Sequence, residues 1–571
     1  MPNTMRPNIS GSYHRHLNRE IELLVAKTKE LLNSKGYEQM IEFDPTLVHE
    51  WLSRSARRFP DKVALVCGEQ RWTYKVLDQR ADHLATALLD AGVCRQDRVA
   101  VFLDNCAETV ISLYGILKAG GVFIILTGSL KVAKLRYIME NSGANILITH
   151  TSKAMVVSDA LGEGPGDRKL IWVGPTKRIP EQFSKSSLSW DEIFSDFVDK
   201  IADVEKDCRL PRCIDVDLAT LIYTSGSTGE PKGVMSTHHN MISAARSIIQ
   251  YIGNVEDDII LDVLPLSFDY GLYQVIMAFM FGGTVVLKES FLYIHRILER
   301  IVQEKVTGFP IVPTIVAMLL KLQDLKKYDF STLRYMTNTG AALPVEHIKK
   351  LRGMFPHVTM ISIFGLTECK RVSYQPPEEL NRIPSSVGKA MPNCEVFVVD
   401  KDGREVAPGQ TGELIIRGSN VMQGYWKDPE LTAKTYRNRR YPGERMLYSG
   451  DYFRKDEQGY LYFLGRKDDM IKSKGERISA KEIENNISGM KGVAEVAVLG
   501  LPDDIIGQAI KAYIVRAPEL KLTDKQVLKY CSENMETFMA PKYIEFLENL
   551  PKTPNGKIDK KQLKSVGTKE F

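Results

Sequence analysis

The sequence predicts an α/β protein with more than one packing unit. Three observations carry this. The chain has 571 residues, too many for one core, and its length corresponds to about three or four packing units. From residue 45 to about residue 400, short apolar segments alternate with longer helical ones. This is the pattern of parallel sheets covered by helices. Residues 394–465 then change to apolar runs with tight turns, as an antiparallel or barrel-like patch would, and residues 467–571 return to short mixed elements.

Taken in order, residues 1–17 read as unstructured. Residues 18–35 carry Ile21, Leu24, Val25, Leu31 and Leu32 at helical spacing, with Gly36 as a stop. Because the apolar face is narrow, this segment reads as a helix docked on the body rather than on a membrane surface. The strands that follow include "KVALVCG", "RVAVFLDN", "NILITH" and "GTVVLKE", with "KVLDQRADHLATALLDAG" as a helix between them. In the antiparallel patch the strands are "CEVFVVDKDG", "GELIIRG" and "GYLYFLG". The charged run from Gly465 to Asp469 marks a linker between two packed regions.

With 44% hydrophobic and 26% charged residues, the composition indicates neither disorder nor a fibre. A net charge of +5, from 76 basic and 71 acidic residues, gives no case for a nucleic-acid partner. Of the eight cysteines only Cys208 and Cys213 lie close together, and no Cys/His cluster has metal-ligand spacing. Reduced thiols are expected. The N-terminus has no apolar signal region, and runs such as "VIMAFMFGGTVVL" fall short of a membrane span. The expectation is a cytoplasmic protein without integral membrane association.

The chemistry begins at "LIYTSGSTGEPKGV", residues 221–234. Its glycines let backbone N–H groups approach an anion, its hydroxyls add donors, and Lys232 adds a point charge. The apolar run Leu218–Tyr223 precedes it. Residues 238–250 follow, with Met241, Ala244, Ala245, Ile248 and Ile249 on one helical face. The stretch therefore reads as a strand-to-helix loop, where α/β proteins grip phosphates. Its lysine is out of place for a Walker A motif. Composition alone leaves a plain surface loop equally open.

The whole string "TSGSTGEPKG" closely resembles the signature loop of the adenylate-forming superfamily. That superfamily contains acyl- and aryl-CoA ligases, the amino-acid-activating domains of peptide synthetases, and beetle luciferases. The resemblance runs from about residue 45 to 565, with the motifs in the family's order. It includes "LKAGGVFIIL" (117–126), "NTGAALP" (338–344), "IFGLTE" (363–368), "YSGDYFRKDEQGYLYFLGRKDD" (448–469), "MIKSKGERISAKEIE" (470–484) and "PKTPNGKIDKKQL" (551–563). The chain departs from the family at "TGSLK", where a proline-containing turn is usual, and at Phe364, where tyrosine is more common.

The resemblance implies a large N-terminal domain of two doubly wound α/β subdomains plus a small β-barrel-like subdomain. A mobile small α+β C-terminal domain follows. The corresponding boundaries are 1–44 for an N-terminal extension, 45–465, and 466–571. It assigns Thr224, Ser225, Gly226, Ser227, Thr228, Gly229 and Lys232 to the phosphates of ATP. Gly340, Ala341 and Ala342 would face the adenine and the acyl pocket, and Phe364 would stack on the base. Thr367 would contact the α-phosphate, and Glu368 would hold Mg²⁺. Asp451 would accept from the ribose hydroxyls with Arg466 assisting. Asp468 would be the hinge, and Gly475 would line the thiol tunnel. Lys557 would reach the substrate carboxylate and the α-phosphate.

The implied reaction is AMP transfer to a carboxylate with release of pyrophosphate, followed by thioester formation. The thiol would be CoA or a carrier-protein phosphopantetheine. Phe268, Asp269, Tyr270, Tyr273 and Asn338 fall in the acyl-pocket region. Phe268-Asp269 and "NGKIDKKQL" tilt toward an amino or imino acid, because peptide-synthetase domains carry an aspartate for the substrate ammonium. The other partner open to Asp269 is a protein donor such as Lys370 or Arg371. The alternatives are a carrier-protein ligase, an ATPase or kinase releasing ADP, and a non-catalytic nucleotide-binding protein.

Overall fold

Two large mixed sheets face each other across a shared layer of helices. The computed structural model describes residues 44–162, 166–195, 210–225, 230–322, 324–340, 343–438, 441, 443–467, 470–473, 476–503, 507–517, 522–535, 539–553 and 558–567. The helix expected over 18–35 lies outside the described residues.

The nine-stranded sheet runs Lys389–Ala390, Ser373–Tyr374, Thr359–Phe364, Tyr335–Asn338, Gly308–Ile311, Ile259–Asp262, Thr284–Leu287, Val63–Cys67, Gln70–Thr73. Its six central strands are parallel and its edges antiparallel. The inner strands are short, largely apolar and covered on both faces, as parallel strands require. The eight-stranded sheet runs Gly424–Tyr425, Pro231–Thr237, Leu218–Ser225, Val122–Ile125, Arg98–Phe102, Ile146–His150, Lys169–Val173, Ser187–Ser189.

Between the sheets lie the helices Val48–Arg58, Tyr74–Asp90, Ala107–Lys118, His238–Ile252 and Asp269–Phe281. They share one core with strand residues from both sheets, such as Leu65, Val285, Val99 and Val101. Asp269–Phe281 is apolar around nearly its whole circumference and is buried along its length, as a helix of that composition must be. The expected strands and the helix Tyr74–Asp90 all occur. At the departing "TGSLK" turn, Lys153 Nζ donates to the Gly128 carbonyl at 2.9 Å and pairs with Asp104 at 3.0 Å.

One expectation is corrected. The glycine-rich stretch does not join a strand to a helix. Leu218–Ser225 pairs antiparallel with Pro231–Thr237, placing Thr224 opposite Lys232. The helix starts only at His238, where the side chains of Thr237 and Asn240 cap it. The segments flanking the loop thus pair with each other, and a strand rather than a helix follows it.

The third sheet is antiparallel, as the pattern over 394–465 predicts. It is built from Cys394–Val399, Thr411–Gly418, Met446–Lys455, Tyr436–Arg437 and Leu461–Arg466. A fourth, small sheet contains Ile471–Ser473, Glu476–Ile478, Val493–Asp503, Gly507–Arg516 and Tyr543–Leu547. The helices Ala480–Ser488, Asp524–Asn534 and Lys560–Gly567 accompany it. It has its own core around Ile483, Val498, Ile510 and Val527. Among the described residues no helix is long and apolar enough to cross a membrane.

Candidate active site

Some of the residues singled out in the sequence lie at the carboxyl ends of the parallel strands, where α/β sheets bind ligands. Asn338 ends Tyr335–Asn338, and Gly340 follows it with φ +89°. Phe364 ends Thr359–Phe364, and Thr367 and Glu368 lie in the turn beyond, both half-buried. Phe268 precedes the helix that Asp269 opens.

A cavity of about 430 Å³ opens here, lined by Thr339, Gly340, Phe364, Gly365, Phe463 and Arg466 on one side. Lys481, Glu484, Lys552 and Lys560 of the small C-terminal unit line the other. The Phe364 ring is fixed by Phe453, edge-on at 5.0 Å, and by Phe463 at 5.8 Å. Packing of this kind holds one aromatic face in place. Asp451, in Met446–Lys455, lies directly across the ladder from Arg466. Their ion pair is 3.2 Å, with the carboxylate buried and the guanidinium half-exposed.

The matches to known proteins fit this arrangement. Residues 52–426 match the AMP-binding enzyme family, and residues 482–557 match the AMP-binding enzyme C-terminal domain. The chain belongs to the AMP-binding enzyme family. It is 30% identical over 532 residues to the long-chain-fatty-acid–CoA ligase of Bacillus subtilis, covering 90% of this chain and 93% of that protein. It is 29% identical over 522 residues to tyrocidine synthase 1 of Brevibacillus parabrevis, covering 90% of this chain and 44% of that protein. Among solved structures it resembles the anthranilate CoA ligase AuaEII in complex with anthranoyl-AMP. There the TM-score is 0.81 at 27% identity, covering 91% of this chain and 97% of that one.

In this AMP-binding enzyme the hairpin and the "IFGLTE" turn are joined by a residue that the sequence did not single out. Tyr425 lies on the short strand paired with Pro231–Thr237. Its hydroxyl donates to Glu368 Oε1 at 2.8 Å, and Lys232 Nζ lies 5.9 Å from its ring centroid. Burial, and then the Glu368 charge, keep the Tyr425 hydroxyl protonated, so it remains a donor. Glu368 suits Mg²⁺, which takes one or two carboxylates alongside phosphate oxygens. Among the described residues no group of three or more His, Cys, Asp or Glu forms a self-sufficient metal cage.

Among the residues expected to hold the acyl group, Tyr270 bonds the Thr337 carbonyl and hydroxyl, both at 2.6 Å. Of the two partners that the sequence leaves open for Asp269, the structure supplies the protein one: Arg371 Nη1 is 3.8 Å away, with both groups buried. Tyr273 and Asn338 are also buried. Gly226, Ser227, Thr228, Gly229, Ala341, Ala342, Asp468, Gly475 and Lys557 lie outside the described residues, as does the side chain of Ser225.

Proposed function

We propose that this enzyme is an ATP-dependent, AMP-forming carboxylic acid–thiol ligase. The observation that carries this reading is the convergence of Gly340, Phe364 and Arg466 on one cavity, in a chain that matches the family over both of its parts.

A carboxylate is a poor electrophile, because its leaving group would be oxide. In the first step its oxygen attacks the α-phosphorus of ATP, and the bond to pyrophosphate breaks with the electron pair leaving on pyrophosphate. In the second step a thiol sulfur attacks the anhydride carbonyl, and AMP leaves. Phe364 stacks on adenine, Asp451 accepts from the ribose hydroxyls, and Arg466 orients Asp451. The hairpin residues 224–229 and Lys232 grip the phosphates, while Gly340, Ala341 and Ala342 form the wall beneath the nucleotide. Thr367 and Lys557 meet charge at the α-phosphate, which is electrostatic preorganisation rather than covalent catalysis. A Mg²⁺ ion held by Glu368, when bound, supplies charge neutralisation at the phosphates.

The proposal includes domains spanning 45–465 and 466–571, with residues 1–44 as an extension. Rotation about Asp468 exchanges Lys557 for the loop at Gly475 between the steps. The acceptor is CoA, as in the names of the Bacillus subtilis relative and the AuaEII structure. A second reading is an amino or imino acid ligase loading a carrier-protein phosphopantetheine. The likeness to tyrocidine synthase 1 and the Phe268-Asp269 pair favour it.

Exchange of labelled pyrophosphate into ATP across a panel of fatty, aromatic, dicarboxylic and amino acids is the test. Acid-dependent exchange, with AMP as the final nucleotide product and a thioester formed on CoA, is expected. Release of ADP with no exchange under any acid overturns the ligase reading.

A further inference from the structure

The small C-terminal unit presents one face of the helix Ala480–Ser488 to the cavity. Ala480, Lys481, Glu484, Asn485 and Ser488 line it, at the spacing of successive turns. From the body, Pro344 and His347 line the same cavity at the start of the helix Val345–Met354. The His347 N–H donates to the Pro344 carbonyl at 3.0 Å, which fixes that first turn. Each part contributes one buried polar atom with no hydrogen-bond partner among the described residues. These are His347 Nδ1 on the body and Asn485 Oδ1 on the C-terminal unit.

The charged side chains that line the cavity have counter-ions. Lys481 and Lys560 share Glu484 at 3.7 and 2.9 Å, Lys552 pairs with Glu495 at 2.9 Å, and Arg466 pairs with Asp451. The His347 imidazole lies close enough to the C-terminal unit to sense the charges of Glu495 and Lys481. Burial, and then Lys350, lower it below the ordinary histidine range; Lys481 adds to this, and Glu495 and Glu346 oppose it. The ring is therefore neutral near neutral pH and has one N–H to give. Asn485 Oδ1 can only accept. The two atoms are complementary, and leaving both unpaired is unfavourable.

The helix that carries Asn485 has a pivot. The Ser479 hydroxyl, at its N-cap, donates to the Leu464 carbonyl of the strand Leu461–Arg466. Asn485 stands about 9 Å further along the axis, so a tilt of about 10° at Ser479 moves it by about 1.5 Å.

We propose that His347 and Asn485 form a latch between the body and the C-terminal unit. As the unit settles over a nucleotide held against Phe364, the His347 Nδ1–H donates to Asn485 Oδ1 and keeps the two parts in the arrangement that forms the adenylate. Both are positioning residues, acting on the placement of the C-terminal unit rather than on the reacting atoms. This inference rests on the ligase reading and deepens it.

The test uses the full chain and calorimetric titration with Mg²⁺ and α,β-methylene-ATP. The variants are His347→Ala, Asn485→Ala and the two combined. Each single variant should raise Kd by about threefold to tenfold, the range of one neutral hydrogen bond. The double variant should bind no more weakly than either single one, because the same bond is lost. His347→Gln keeps a side-chain N–H and should retain part of the affinity. If His347→Ala does not fold, His347→Gln takes its place in the cycle. Melting temperatures without nucleotide should equal that of the wild type, since the bond forms only on closure. Losses that multiply in the double variant, a Kd unmoved in both single variants, or a lowered melting temperature without nucleotide overturns the latch and leaves the ligase reading standing. Failure of the wild type to bind the ATP analogue overturns both.

Discussion

Tyr425 shows how one hydroxyl can couple two parts of a site. It donates to Glu368 while its ring faces Lys232. Tyr425→Phe should keep the fold and lower pyrophosphate exchange by about tenfold, the worth of one hydrogen bond to a charged group. Titrating the Mg²⁺ requirement of the variant should show a weaker metal response, and an unchanged response would remove Tyr425 from the phosphate site. Asp451→Asn keeps the shape but should weaken the pair with Arg466 and, with it, the proposed acceptance from ribose. The KM for ATP should rise by about tenfold while kcat changes less. Gly340 and Phe364, which line the cavity, were legible because they sit inside continuous motifs. Tyr425 was not, because "GYW" carries no signal and its partner is 57 positions away. The pairing of Asp269 with Arg371 was open in the sequence for a different reason: a buried carboxylate demands a cation but does not say whose.

At the scale of elements, apolar periodicity made the quoted strands and the helices Tyr74–Asp90 and His238–Ile252 readable, since each keeps its apolar positions on one repeating period. The strand Pro231–Thr237 escaped because proline, lysine and glycine open it and a clear helical face follows immediately. Proline is tolerated there because it stands first in the strand. In the small C-terminal unit, Glu484 of the helix Ala480–Ser488 joins two further elements. Its carboxylate takes Lys560 at 2.9 Å and Lys481 at 3.7 Å, and accepts the Val498 N–H at 3.0 Å. Burial alone would raise the Glu484 carboxyl, but Lys560 and Lys481 hold it below its ordinary range. Glu484→Gln should destabilise this unit by about 2 kcal/mol, because two partly buried ammoniums lose their counter-ion. Thermal melting and limited proteolysis would measure it; an unchanged profile would show the ion pairs to be dispensable.

On the scale of the whole molecule, the helix layer between the two sheets contains a histidine pair that couples its stability to pH. The His49 and His238 rings meet edge-on at 5.8 Å, and His238 Nδ1 accepts from the Val48 N–H at 3.1 Å. Burial lowers His238 to about 4, and burial followed by the neighbouring His238 lowers His49 as well. Both folded-state values lie below the ordinary histidine value, so below about pH 6.5 the unfolded chain binds more protons. Stability is therefore fully present above that pH and is lost as pH falls toward 4. The loss from His238 is on the order of 3 kcal/mol. His238→Gln keeps an acceptor for Val48 and should flatten the melting-temperature slope between pH 6.5 and 4. A slope as steep as that of the wild type would assign the acid loss to other groups.

The hairpin's pairing also sets what kinds of length change its two stems can survive. Lys232 and Val234 alternate with Gly233 and Met235, and Gly233 packs so closely that a Cβ there would meet the Tyr223 ring at 3.1 Å. Adding one residue to a stem would exchange the two sides, sending the ammonium toward Tyr223 and Trp426 and turning the bare glycine outward. Tolerated insertions and deletions in this arm should therefore come in even numbers, whereas residues added at the tip are free of that parity.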